Sequence, residues 1–301
     1  MLLRWLLHLL FCFSYCTQAT PVLLKRDADF ASVRTRLTKD RSGKGGDPVD
    51  KYFHESTFHP HYDGRFANEV LPDEDRKLRL TNLMQTYLST MNDIGAETWI
   101  MHGSLLGWWW NRKILPWDSD VDVQMSENSM DYLAKYYNMT IHHYRLPGVP
   151  NGRDYMLEVN PHYLNGSTTD WLNVIDARWI DTETGLFIDI TTLRKHEIDV
   201  GVMYCKDKHE YWAEEIFPLR QSNFENSPVK IPYAYAELLA AEYGPAALTQ
   251  KTFERHYFDD EKMEWLPDES IPRPQSSRWC LQQNQNLTAD DVTTDESTTG
   301  A

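Results

Sequence analysis

Residues His102–Val123, HGSLLGWWWNRKILPWDSDVDV, carry three aspartates at alternate positions, Asp118, Asp120 and Asp122, downstream of a Gly-Ser pair. In a strand, residues i, i+2 and i+4 share a face. This reading sets the three carboxylates side by side and turns Ser119, Val121 and Val123 the other way. Like charges at that spacing repel, so one is protonated at neutral pH unless a cation lies between them. Mg²⁺ or Mn²⁺ suits such a site, because hard cations take carboxylate oxygens. A solvated turn with no chemistry is the plain alternative.

Working outward, Pro72 and Asp73 open a helical pattern in which Leu80, Leu83, Met84, Tyr87, Leu88 and Met91 share a face, ending near Gly95. A strand at 98–101 follows, then a short helix over LLGWWWNRK and the aspartate strand after Pro116. Further strands are expected at 155–159, 173–180 and 186–191, and a helix at 233–243 closed by Gly244-Pro245. The fold class is mixed α/β in a single domain. In GLFIDITTL, Asp189 lies inside an apolar run, where a charge is costly unless paired or metal-bound. It is therefore either a functional carboxylate or the cross-strand partner of Arg178 beyond the DTETG hairpin.

The 301 residues include 45 acidic and 30 basic side chains, a formal net charge of -15, which argues against a nucleic-acid partner. Arg4 followed by an apolar run from Trp5 to Cys16 and a small residue at Ala19 has a signal-peptide layout, and the run is short of the roughly 20 residues of a membrane span. An uncleaved N-terminal anchor is the alternative. Sequons at Asn138, Asn165 and Asn286 agree with a secretory (ER or Golgi lumen) or secreted protein. Removal of Cys12 and Cys16 with the signal leaves Cys205 and Cys280 as an expected disulfide, or as two buried thiols. Domain boundaries follow: signal peptide 1–19, flexible leader 20–50, folded domain 51–283 and an acidic Thr/Ser-rich tail 284–301.

The segment HGSLLGWWWNRKILPWDSDVDVQM resembles the signature of the LicD/fukutin-related family, which joins a Gly-Thr/Ser-Leu-Leu-Gly turn to a Pro-Trp-Asp-x-Asp-hydrophobic-Asp segment. KYFHESTFHPHYDGRFA at 51–67, NVIDARWIDTETGLFIDIT at 173–191 and IPYAYAELLAAEYG at 231–244 are similar to its fungal branch, linked to adding mannosylphosphate to glycans. The resemblance implies a nucleotidyltransferase-like mixed sheet flanked by helices. It implies that Asp120 and Asp122 are the metal-binding pair, Asp189 a third carboxylate from a later strand, and Asp118 a further member of the metal set. Gly103 and Ser104 match the turn facing the donor phosphates. Ser104 stands where many relatives have Thr, and Ser119 where an acidic residue or His is common.

The activity so implied is metal-dependent transfer of a sugar-1-phosphate, mannose-1-phosphate from a nucleotide-diphosphate mannose, to hydroxyls of a mannose-rich glycan. Asp120, Asp122 and Asp189 are the expected catalytic residues. Arg112, Lys113 and Arg178 are candidate phosphate contacts, weighed against ordinary structural charges. A membrane-associated transferase is an expected protein partner. The alternatives are a Mn²⁺-dependent glycosyltransferase and a non-catalytic regulator of mannosylphosphate transfer. Of Trp108, Trp109 and Trp110, at most one can stack on a sugar, since consecutive helical residues spread around the axis. His102 reads as a base or as a packed, hydrogen-bonded side chain; His59 and His61 in HPHYDGRF read as parts of a structured loop.

Overall fold

A computed structural model of the chain describes residues 20–22, 37, 39–43 and 47–271. Helix α1 (Asp73–Ile94) begins with three acidic residues in its first turn, where the helix dipole favours negative charge. It ends at Gly95, whose φ of 75° is a left-handed cap that a side chain would resist. The predicted apolar face is buried, from Leu80 to Met91. It lies on a sheet whose central strands β6 and β7 are buried on both faces.

That sheet has nine strands, seven of them in the order β1 (Thr20–Val22), β4 (Thr140–Leu146), β5 (Val149–Val159), β6 (Ala177–Asp181), β7 (Phe187–Lys195), β3 (Asp122–Ser126), β2 (Thr98–Ile100). The remaining two, β8 (Val202–Tyr204) and β9 (Glu210–Trp212), extend it from the far end of β7. Among the described strands of this sheet only β3 and β7 pair in parallel; the other pairs are antiparallel, so the sheet is mixed, as the resemblance implied. Helix α2 (His102–Asn111) and helix α3 (Glu127–Tyr136) bracket β3. A two-stranded ribbon, β10 (Arg220–Phe224) with β11 (Ser227–Ile231), precedes helix α5 (Tyr235–Tyr243), itself after the short α4 (Ala213–Ile216). A 3₁₀ turn (Pro245–Leu248) then leads to a separate sheet of β12 (Thr252–Phe253), β13 (His256–Asp259) and β14 (Glu264–Pro267). The molecule is one mixed α/β domain in which a curled sheet is flanked by helices.

The expected helices and central strands are present, with some shifted bounds. The strand expected over 173–180 begins only at Ala177, because Asn173 and Asp176 anchor the entry by side-chain bonds. The aspartate strand is shorter still: only Asp122 is in β3, while Asp118 and Asp120 lie in the preceding turn. A ladder there has no partner on the β2 side, since the chain leaves β2 at Ile100 and turns at His102 (φ 52°) into α2. Little order was expected before residue 49, yet β1 pairs with β4 and Ser42 bridges Ser56. The N-terminal signal segment, Cys280, Asn286 and the acidic tail lie outside the described residues. Among those described, Cys205 is a buried free thiol accepting a bond from Gln124 Nε2 at 3.4 Å. No described helix is long and apolar enough to cross a membrane.

Candidate active site

Glycine placement brings the site together. A side chain on Gly107 would put its Cβ 2.4 Å from the Lys113 carbonyl oxygen, so only glycine lets the chain after α2 fold back against the helix and deliver residues 114–122 to its N-terminal end. Leu115 O then accepts from Asp118 N at 3.0 Å, closing the turn of the Pro-Trp-Asp segment. Gly103 lies beside Asp118, whose Oδ2 would be 3.4 Å from a Cβ there.

The alternation of the aspartate run survives although its first two members are not in a strand. Val121 and Val123 are in the core, each 1% exposed, whereas Asp118, Asp120 and Asp122 line one cavity of 450 Å³ with Gly103 and Ser104. Ser104 Oγ accepts from Asp122 N at 3.1 Å, tying α2 to the start of β3. Asp189 is the parallel register partner of Asp122, so the third expected carboxylate arrives beside it from the neighbouring strand. Asp122 and Asp189 thus sit side by side on neighbouring strands, with Asp118 and Asp120 on the adjoining cavity wall, and Arg178 Nε donates to Asp189 Oδ1 at 2.7 Å.

Charge reflects this crowding. Burial, and then the neighbouring Asp120, push the Asp118 carboxyl up to about 8. Burial, followed by Asp120, Asp189 and Asp118, holds Asp122 well above the ordinary carboxylate range. Burial raises Asp189 as well, with Arg178 and His61 opposing it. A divalent cation is what this donor set fits: all-oxygen, hard and short of positive charge. Asp118, Asp120, Asp122 and Asp189 are the carboxylates that could hold it.

The three candidate phosphate contacts do not meet at this cavity. Arg112 caps α2 with its guanidinium stacked 3.7 Å over the Trp108 ring, and Lys113 pairs with Glu264 at 2.5 Å; neither lines the cavity. The Arg178 guanidinium is buried over Phe187 and Phe53 and bonded to Asp189, the structural pairing that the sequence left open. The tryptophans divide as expected: Trp108 is buried and donates to Ser222 Oγ, Trp109 donates to Leu248 O, and Trp110 lines the cavity while bonded to Ala247 O. His102 is hydrogen-bonded to Glu242 (2.8 Å).

Two features went unread in the sequence. His61 reaches the site: its Nδ1 is 2.7 Å from Ser119 Oγ and its Nε2 is 3.6 Å from Asp120 Oδ2. The HPHYDGRF loop is held there by the Tyr62–Leu186 bridge and by Arg65, which bonds both Asp63 and Glu158. The second feature is an aromatic wall on the cavity, where Trp117 meets Phe253 and Trp265 from the C-terminal sheet. The doubled histidine was a signal for the first; nothing local marks the second.

Part of the chain is similar to known proteins. Residues 95–234 match the family model "LicD/FKTN/FKRP, nucleotidyltransferase domain", a span that begins at the end of α1 and includes Asp118, Asp120, Asp122 and Asp189. Two Saccharomyces cerevisiae (strain ATCC 204508 / S288c) proteins are similar. "Mannosyltransferase regulator 4" is 35% identical over 136 residues, and "Mannosyltransferase regulator 14" is 34% identical over 137; each match covers 44% of this chain. The matched segments span 11% and 14% of those proteins' lengths. The motif, the mixed sheet and the matched segment agree: residues 95–234 of this chain are similar to the LicD nucleotidyltransferase domain.

Proposed function

We propose that this protein transfers a sugar-1-phosphate, mannose-1-phosphate from a nucleotide-diphosphate mannose, to hydroxyls of mannose-rich glycans in the secretory pathway. The observation that carries the reading is the convergence of Asp118, Asp120, Asp122 and Asp189 beside the first turn of α2. A pyrophosphate donor is polyanionic, and four carboxylates repel it unless they hold divalent cations. Bound Mg²⁺ or Mn²⁺ neutralises the phosphates and the developing charge on the leaving oxygen. The amides of Gly103 and Ser104 belong to a helical first turn and face an anion without competition from earlier carbonyls.

The acceptor hydroxyl oxygen bonds to the sugar-side phosphorus as the bond to the nucleoside monophosphate breaks. Its proton passes to a base, and His61 Nε2, with Nδ1 held by Ser119 Oγ, is the imidazole nitrogen facing Asp120. The aromatic wall of Trp110, Trp117 and Trp265 offers faces for a sugar or nucleobase to pack on. The regulator names of the yeast proteins support a role in mannosyl-related glycosylation, and they favour a second reading: a non-catalytic regulator of a membrane-associated mannosyltransferase.

The purified chain, given nucleotide-diphosphate mannose, Mn²⁺ and a mannose-rich oligosaccharide, should release the nucleoside monophosphate and add one phosphodiester per transfer. Asp189→Asn should abolish this while folding normally. Release of the diphosphate would reassign the protein to ordinary glycosyl transfer. No turnover, together with stimulation of an added mannosyltransferase, would establish the regulator.

A further inference from the structure

Beside the carboxylate site, three residues distant in sequence meet on their own. His102 opens α2, His209 lies in the turn between β8 and β9, and Glu242 lies near the end of α5. One donor atom from each lies within 4.8 Å of the other two. His102 Nδ1 is 2.8 Å from Glu242 Oε1, and the two imidazole centroids are 4.7 Å apart. A fourth residue completes the group: Asp207 Oδ2 is 3.1 Å from His209 Nδ1 and 3.9 Å from His102 Nε2.

The chemistry differs from that of the aspartates. Two imidazoles and one carboxylate are a donor set for zinc and neighbouring transition metals, whereas four carboxylates favour magnesium or manganese. Asp207 stands where an outer carboxylate orients a metal-bound histidine, against the ring nitrogen opposite the one left for the metal. His102 is also held at a φ of 52°, a left-handed conformation for a residue with a side chain, at the point where the chain enters the Gly103-Ser104 turn.

We propose a second metal site, taking Zn²⁺ or a similar transition-metal ion on His102, His209 and Glu242, with Asp207 orienting His209. It joins the N-terminus of α2, the β8–β9 turn and α5, and so fixes the segment that presents Gly103 and Ser104 to the cavity. None of its ligands belongs to the aspartate set, although Glu242 is close enough to help raise the Asp122 carboxyl.

The test is metal binding by the full chain, stripped with chelator and held in excess Mg²⁺. Zn²⁺ should bind at one equivalent, and Co²⁺ in its place should give the visible absorption of a four- or five-coordinate ion. His209→Gln, in a surface turn, should weaken Zn²⁺ binding at least tenfold with an unchanged circular dichroism spectrum, and Glu242→Gln should do likewise. Asp120→Asn should leave Zn²⁺ binding intact. The proposal is overturned if the wild-type chain takes up no Zn²⁺. It is equally overturned if His209→Gln and Glu242→Gln bind it as tightly as wild type, or if binding disappears with Asp120→Asn.

Discussion

Asp122 shows at a single residue how a site can work against the fold that carries it. Its backbone is required, since Asp122 N donates to Ser104 Oγ and Asp122 is in register with Asp189, yet its half-buried carboxyl is raised by that burial and by three neighbouring ones. Removing the charge and keeping the shape should therefore stabilise the metal-free protein. We expect Asp122→Asn to unfold at higher temperature in chelator, by about 1 kcal/mol, and to lose Mn²⁺ affinity by more than tenfold; scanning calorimetry and titration calorimetry measure the two effects. At this scale the sequence was informative, because the spacing of the aspartates already implied shared charge. The pairing of Arg178 with Asp189 was one of two readings left open, and only the β6–β7 register decided it.

Among the elements, α2 depends on one small residue and β4 on one uncharged one. Gly107→Ala places a methyl group against the Lys113 backbone, which cannot move without shifting Leu115 and the aspartate turn. The cost should be about 2 kcal/mol or more, seen in denaturant unfolding, with a parallel loss of metal affinity. In β4, His142 packs against Trp179 with Nε2 2.9 Å from Thr140 Oγ1, and burial lowers its pKa to about 4. The folded state thus excludes a proton that the unfolded chain takes up below about 6.5. The contribution of His142 is fully present above that pH and is lost as the pH falls from 6.5 toward 4. Relative to wild type, His142→Gln should gain on the order of 2 kcal/mol across that acid range and flatten the stability profile between these pH values.

For the whole molecule, the C-terminal sheet closes the cavity from outside the segment matched to the family. Trp265 is 7% exposed, packs on Trp117, Trp110 and Phe258, and joins β14 to the cavity wall. Trp265→Ala should cost about 3 kcal/mol locally. Hydrogen exchange should accelerate over 252–267 while β3, β6 and β7 remain protected, because those strands lie in the main core. The same variant should weaken nucleotide-sugar binding. Asn165, exposed in its loop, should carry an N-glycan in protein from a eukaryotic secretory host, detectable as a mass shift on deglycosylation.

By itself, the sequence determined the elements with strong periodicity, α1 above all, and the clustering of Asp118, Asp120 and Asp122 on one side of the chain, because both depend on residue type at fixed local spacing. The LicD signature lies in a short continuous stretch for the same reason. Tertiary structure decided what depends on contacts between distant segments. It ended the β3 ladder at Asp122, since β2 offers no partner beyond Ile100, and it brought His61 to Asp120 across the loop bridged to β7. It also gathered His102, His209 and Glu242, and placed Trp265 on the cavity wall. Such meetings have no period along the chain; they follow from sheet order and from which buried surfaces close on one another.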